Sequence, residues 1–300
     1  MLKQKLSGIM PPLTTPFDQV GELDYAALQR NVQRYNETGL SGYVVLGSNG
    51  EAVHLSAEER FKTIQTVKQA ATPAHKVIAG INELSLRAAV QSCKQARESG
   101  ADAVLVVTPY FYKAAMKQDV LFGYFMEVAD QSPLPVLVYN VPQNTGVIIE
   151  PATLARLAEH PNIIGVKDSS GNFGAIADTI RLAEDFSVMC GNGGILYPAL
   201  SMGAAGAVLA IACAAPRACV ELYQAAAAGD HARARELQNR ISPISQMVTA
   251  GLGVAGLKAA MDNAGYEGGT VRSPLVQLGP AESEKLATAM RASGLFSRME

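Results

Sequence analysis

The sequence predicts a (β/α)8 TIM barrel carrying a small C-terminal helical subdomain, with residues 1–229 as the barrel and 230–300 as the helical part. Three observations predict it. Strand-like apolar runs alternate eight times with stretches whose apolar residues fall three and four apart. Those runs are apolar throughout rather than alternating, which calls for cover on both faces of a parallel sheet. Three helix exits share one design: Thr38-Gly39-Leu40-Ser41-Gly42, Ser99-Gly100-Ala101-Asp102 and Met202-Gly203-Ala204-Ala205-Gly206 each place a glycine stop before a strand.

The elements follow in order. Gly8-Ile9-Met10 is the first strand, and Tyr25, Leu28, Val32 and Tyr35 mark the first helix. After Tyr43-Val44-Val45-Leu46, the capping box Ser56-Ala57-Glu58-Glu59 opens the second helix. Lys76-Val77-Ile78-Ala79, Ala103-Val104-Leu105-Val106-Val107 and Val136-Leu137-Val138-Tyr139 continue the series, and Pro151 suits a first helical turn. Ile163-Ile164-Gly165-Val166-Lys167, Ser187-Val188-Met189-Cys190 and Ala207-Val208-Leu209-Ala210 complete the eight. Beyond Gly229 only helices are predicted, over 230–247, 253–263 and 281–292. An open doubly wound sheet is the alternative. It needs a G-x-G-x-x-G turn after its first strand, where Met10-Pro11-Pro12-Leu13-Thr14-Thr15-Pro16 stands instead.

Apolar residues form 48% of the chain, enough for a large core, and acids and bases nearly balance at a net charge of -2. With no basic block, nucleic acid and anionic membrane are excluded as expected partners. Met1-Leu2-Lys3-Gln4-Lys5 leads into a strand with no long apolar segment of a secretory leader. Cys93, Cys190, Cys213 and Cys219 form no C-x-x-C pair, and the four histidines no H-x-x-x-H. The expectation is a cytoplasmic protein with reduced core cysteines and no metal.

Barrel enzymes keep their chemistry at the C-terminal ends of the strands. Those ends here are polar and glycine-rich, and they contain one lysine, Lys167. Lys167 is either a rim lysine whose head reaches water or pairs with Asp168, or an amine able to attack a ketone and form a Schiff base. Tyr139, at the matching end of the preceding strand, is either a core aromatic or a proton shuttle for that amine. Gly47-Ser48-Asn49-Gly50-Glu51 is a strand-to-helix turn whose successive N–H groups can cradle a carboxylate. Glu51 is expected to brace this loop, and His54 to cap or lie at the surface rather than face substrate. Tyr110-Phe111-Tyr112 is an aromatic loop of the kind that marks an interface. Gly251-Leu252-Gly253-Val254-Ala255-Gly256 resembles a nucleotide loop only superficially, because no strand precedes it.

Together, Gly47-Ser48-Asn49-Gly50-Glu51, Thr108-Pro109-Tyr110, Tyr139-Asn140-Val141-Pro142 and Gly165-Val166-Lys167-Asp168 resemble the pyruvate-dependent class I aldolases. This is the family of dihydrodipicolinate synthase and N-acetylneuraminate lyase. The resemblance extends to Gly256-Leu257-Lys258-Ala259-Ala260-Met261 and Arg272-Ser273-Pro274-Leu275. It implies that Lys167 is the Schiff-base lysine, that Tyr139 relays protons, and that Ser48 and Asn49 hold the pyruvate carboxylate. It also implies that Ser48 links Tyr139 to a second tyrosine from a neighbouring subunit of a homotetramer built as a dimer of dimers. Val208, in the eighth strand-like run, joins Ser48, Asn49 and Asn144 as a substrate-binding candidate. No cofactor is implied, because the lysine supplies the electron sink.

The sequence departs from the family pattern at two places. Phe111 falls where the second relay tyrosine belongs, so Tyr110, Tyr112 or water must carry the proton. In the loop Gln143-Asn144-Thr145-Gly146, Asn144 replaces the arginine with which dihydrodipicolinate synthases bind aspartate semialdehyde, a non-conservative change. Asn144 and Gly265-Tyr266-Glu267-Gly268-Gly269 are similar to 4-hydroxy-2-oxoglutarate aldolases. The expected activity is therefore reversible aldol cleavage of that kind, on pyruvate and an aldehyde. Dihydrodipicolinate synthase is the alternative, and a non-turnover 2-oxo-acid binding protein is the alternative of another class.

Overall fold

The computed structural model describes residues 5–296. The reading of residues 1–4 lies outside that range. Eight strands form one all-parallel sheet: β1 (Gly8–Met10), β2 (Gly42–Val45), β3 (Lys76–Ile81), β4 (Ala103–Val107), β5 (Val136–Asn140), β6 (Ile163–Asp168), β7 (Ser187–Cys190) and β8 (Gly206–Val208). Each pairs with its neighbour in sequence, and β1 pairs with β8. The ring closes between β1 and β2 through Ser41 N–H to Ile9 O (3.0 Å), Val44 N–H to Pro11 O (3.0 Å) and Leu13 N–H to Val44 O (2.8 Å). Pro11 and Pro12 carry no N–H, so this seam relies on the carbonyls of Ile9 and Pro11 and on the N–H of Leu13. The predicted (β/α)8 TIM barrel is what forms.

Twelve helices accompany the strands among the described residues: α1 (Tyr25–Tyr35), α2 (Ala57–Ala70), α3 (Leu86–Glu98), α4 (Gln118–Gln131), the single turn α5 (Pro142–Thr145), α6 (Pro151–Leu157), α7 (Phe173–Leu182), α8 (Leu196–Ser201), α9 (Pro216–Ala227), α10 (His231–Gln246), α11 (Gly253–Asn263) and α12 (Pro280–Ser293). Local chemistry sets their starts. Asp24, Ser85 and Asn172 each accept a hydrogen bond from an N–H of the first turn, and Ser56 with Glu59 completes the predicted capping box. Gly39, Gly100 and Gly203 take positive φ (+80°, +92° and +101°) at the three matching helix exits.

The covered sheet divides its side chains between two layers. Met10, Val44, Ile78, Leu105, Leu137, Met189 and Val208 fill the barrel interior, while Val45, Val77, Val106, Val138, Val166 and Val188 belong to the layer shared with the helices. Beyond α9 the described residues form helices, connecting loops and one isolated bridge between Phe17 and Thr270. Leu237, Ile241 and Ile244 of α10 join the helix-side core, so we propose the 229/230 division as a change of element type, not of core. Two details differ from the sequence reading. β8 stops at Val208 because Ala210–Cys213 wind into a 3-10 turn. After α10, Met247–Gly251 forms a π-turn, in which Thr249 Oγ1 donates back to Ser245 O at 2.7 Å.

One irregularity positions the site. Val136 pairs with Ile163, but Leu137 pairs with Gly165, so β6 carries an extra residue at Ile164. Ile164 faces the barrel interior, yet Val166 faces the helices. Strict alternation would put them on the same side, and the bulge shifts the parity so that Lys167 points inward. Gly165 permits this, since a Cβ there would lie 2.2 Å from Ser187 O of β7. Gly165→Ala is expected to destabilise the fold by about 3 kcal/mol and to remove activity. An unchanged denaturation midpoint would discard this account of the bulge.

Candidate active site

Tyr139 and Lys167 are directly opposed across β5 and β6, followed by the pair Asn140 and Asp168. Both inward side chains are almost fully buried, Tyr139 at 5% exposure and Lys167 at 3%. Lys167 Nζ lies over the Tyr139 ring, 4.3 Å from its centroid. The amine does not pair with Asp168. That carboxylate is occupied by Asn140 Nδ2 at 2.7 Å and by Ser170 N–H and Oγ at 2.9 and 2.5 Å. Lys167 is thus neither a snorkelling rim lysine nor half of an ion pair.

A cavity of about 520 Å3 opens at this strand end, lined by Lys167, Tyr139, Ser48, Asn49, Asn144 and Val208 among others. All six of those candidates therefore meet in one space. Ser48 Oγ lies 3.4 Å from the Tyr139 hydroxyl. Burial pushes the Tyr139 phenol up. The Lys167 charge and hydrogen bonds with Ser48, Ser169 and Lys167 outweigh burial and hold it below the ordinary tyrosine value. Ser48 and Asn49 begin the 3-10 turn Ser48–Gly50, so their N–H groups are the leading donors of that turn.

The aromatic loop lies elsewhere in the chain. Tyr110 lines a neighbouring cavity of about 210 Å3 that shares Ser48 and Asn144. Phe111 and Tyr112 are 71% and 73% exposed, packed edge to face on each other at 5.1 Å.

Glu51 braces the loop, as expected, through partners the sequence reading did not assign. Its Oε1 accepts from Lys258 Nζ of α11 at 2.6 Å, with both side chains 1% exposed. Its Oε2 accepts from Arg272 N–H at 2.9 Å and lies 3.3 Å from His54 Nδ1, so His54 joins the brace rather than the cavity. Lys258 also donates to the carbonyls of Thr15 and Thr270, which uses every proton it has. Glu51 holds a left-handed φ of +51°, strain that these contacts sustain. Asn192, a polar residue of the strand ends named from sequence, also lines the cavity, as do Ser169, Ser245 and Thr249, which were not singled out. Thr249 arrives there on the unanticipated π-turn and Ser245 on the last turn of α10.

With this geometry in hand, similarity to known proteins decides the family. The dihydrodipicolinate synthetase family matches residues 5–293. The chain belongs to that family. It is 35% identical over 281 residues to a 4-hydroxy-tetrahydrodipicolinate synthase of Methanothrix thermoacetophila, covering 93% of this chain and 94% of that one. Dihydrodipicolinate synthase of Thermotoga maritima superposes with a TM-score of 0.92 at 30% identity, covering 97% of this chain and 100% of the other. YagE, a prophage protein of this family from E. coli K12 solved in complex with pyruvate, gives 0.90 at 29% identity, with 97% and 99% covered. Family membership makes the chain a lyase of the Schiff-base, pyruvate-dependent aldolase type. The relatives carry the synthase name, which supports the alternative reading better than the expected 4-hydroxy-2-oxoglutarate aldolase.

Lys258→Met, which leaves Glu51 buried without a counter-charge, is expected to destabilise the fold by roughly 3–5 kcal/mol. Chemical denaturation measures it, and a loss below about 1 kcal/mol, the range of exposed pairs, would show that the brace is dispensable.

Proposed function

We propose that Lys167 forms a Schiff base with pyruvate and that the chain condenses it with, or releases it from, an aldehyde. The cross-strand pairing of Lys167 with Tyr139 inside the cavity carries this reading. The amine attacks the ketone carbon, and loss of water gives a protonated imine. That imine draws electrons from C3, so a C3 proton leaves to give the enamine; in the imine of a 4-hydroxy-2-oxo acid the C3–C4 bond opens instead, the C4 hydroxyl giving up its proton, to leave aldehyde plus enamine. Tyr139 supplies the proton to the departing oxygen and serves the aldehyde oxygen later, within reach of the same amine. Ser48 and Asn49 hold the pyruvate carboxylate by the N–H groups of their turn.

The synthase names of the relatives support aspartate semialdehyde as the aldehyde, with 4-hydroxy-tetrahydrodipicolinate as product. One observation supports 4-hydroxy-2-oxoglutarate instead: the side chain that lines the cavity at the position of the synthases' arginine is Asn144. The exposed Phe111 and Tyr112 support a second copy of the chain covering that face, within a cytoplasmic homotetramer.

Borohydride reduction with pyruvate is expected to trap a covalent adduct on Lys167, located by peptide mass spectrometry and lost in Lys167→Ala. No adduct on the intact protein would leave the non-turnover binding protein as the better reading. Turnover of aspartate semialdehyde against 4-hydroxy-2-oxoglutarate then chooses the aldehyde. If Asn144 sets that choice, Asn144→Arg raises kcat/KM for aspartate semialdehyde about tenfold or more, and an unchanged ratio removes Asn144 from the specificity account.

A further inference from the structure

At about 520 Å3 the large cavity falls within the range of small-molecule sites and exceeds what pyruvate alone would fill. Part of its lining comes from the turn after β7 and from α10, through Asn192, Gly193 and Ser245. Ser245 is 4% exposed, and its hydroxyl has no hydrogen-bond partner among the described residues. That hydroxyl is not sealed. The enclosed side-chain oxygens without partners are those of Thr108 and Tyr124, so the Ser245 oxygen opens on the cavity that the residue lines. Two features keep it there. A Cβ on Gly193 would lie 2.4 Å from Ser245 Oγ, and glycine leaves the hydroxyl room. Gln238, two turns earlier on the same face of α10, donates to Gly193 O at 2.8 Å and accepts from Tyr197 N–H at 2.6 Å. The helix is thus tied to the turn it faces. Asn192 adds a second spare group: its Oδ1 accepts from Gly194 N–H at 2.8 Å, which leaves Nδ2 unpartnered among the described residues.

We propose that Ser245 and Asn192 donate hydrogen bonds to a second carboxylate, the one carried by the aldehyde half of the substrate. This rests on the Schiff-base reading above. Aspartate semialdehyde and 4-hydroxy-2-oxoglutarate both carry such a group, and the carboxylate of pyruvate is already assigned to the turn of Ser48 and Asn49. A carboxylate only accepts, so two donors with spare protons match it. Bonds to an ionised oxygen are about twice as strong as neutral ones, which lets a hydroxyl and an amide select for the charge. Ser245 and Asn192 are then specificity residues that act on the far end of the substrate, while Lys167 and Tyr139 act on its reacting carbons.

2-Oxo diacids test this without an aldehyde, because each can form the imine and carry its second carboxylate along. 2-Oxoglutarate has that group where 4-hydroxy-2-oxoglutarate has it, and 2-oxopimelate where aspartate semialdehyde places it on condensing with pyruvate. 2-Oxopentanoate and 2-oxoheptanoate are the counterparts of equal length that end in a methyl group. Inhibition constants are read against exchange of the pyruvate C3 protons in deuterated water, followed by NMR. The unaltered protein is expected to favour the diacid over its counterpart about tenfold at one of the two lengths. Ser245→Ala should remove most of that preference, while the constant of the monoacid, which makes no such bond, stays within about twofold. Asn192→Asp keeps the acceptor for Gly194 N–H but exchanges the donor for a negative charge, and should weaken the diacid further. A preference at neither length, a preference that survives Ser245→Ala, or loss of exchange itself in that variant overturns the proposal. Borohydride trapping separates the two levels. A pyruvate adduct on the unaltered protein, with a preference independent of Ser245, sinks only this subsite, whereas no adduct sinks the Schiff-base reading beneath it.

Discussion

One inserted residue decides what the mouth of this barrel contains. Because β6 bulges at Ile164, Val166 turns to the helices and Lys167 to the interior. Without that change of parity the ammonium would point into the apolar layer around Val106, Val138 and Val188, where no partner waits and burial costs several kcal/mol. Inside the barrel the amine meets the face of an aromatic ring and an open cavity instead. The position of Gly165 beneath β7 and the orientation of the lysine are therefore one constraint.

The two buried lysines differ in how the fold partners them. Lys258 has a carboxylate and two carbonyls, which consume its donors and fix its geometry. Burial pulls its amine below the ordinary lysine value while Glu51 opposes that pull. Lys167 is buried as deeply but makes no ion pair among the described residues, its adjacent carboxylate being taken by Asn140 and Ser170. Its environment is a phenol and a cavity. An amine left with spare bonding capacity is one that a carbonyl carbon can use.

Much of this was legible in the sequence because strand ends and glycine turns are local signals. The run ending in Lys167, the run ending in Tyr139 and the Gly47–Glu51 turn each declare themselves within five residues. Parity was not legible, since Ile163-Ile164-Gly165-Val166-Lys167 has the same composition whether or not it bulges. The partners of Glu51 were hidden for a different reason. Lys258 lies 207 residues away, and the motif containing it was visible while its contact was not. Thr249 lies between the helices expected over 230–247 and 253–263, where a π-turn has no periodic signature to announce it.

The Glu51 brace also orders the assembly of the protein in time. At synthesis rates of about 5–20 residues per second, the 207 residues between Glu51 and Lys258 take roughly 10–40 s to emerge. Throughout that interval the turn carrying Ser48 and Asn49 precedes a carboxylate whose counter-ion has yet to be made. All strands of the barrel can pair meanwhile, since seven of the eight contacts in the ring join strands consecutive in sequence and the eighth, β1 with β8, is complete at Val208. The turn carrying Ser48 and Asn49 thus gains the Lys258 counter-ion of its brace only after every strand of the barrel has been made.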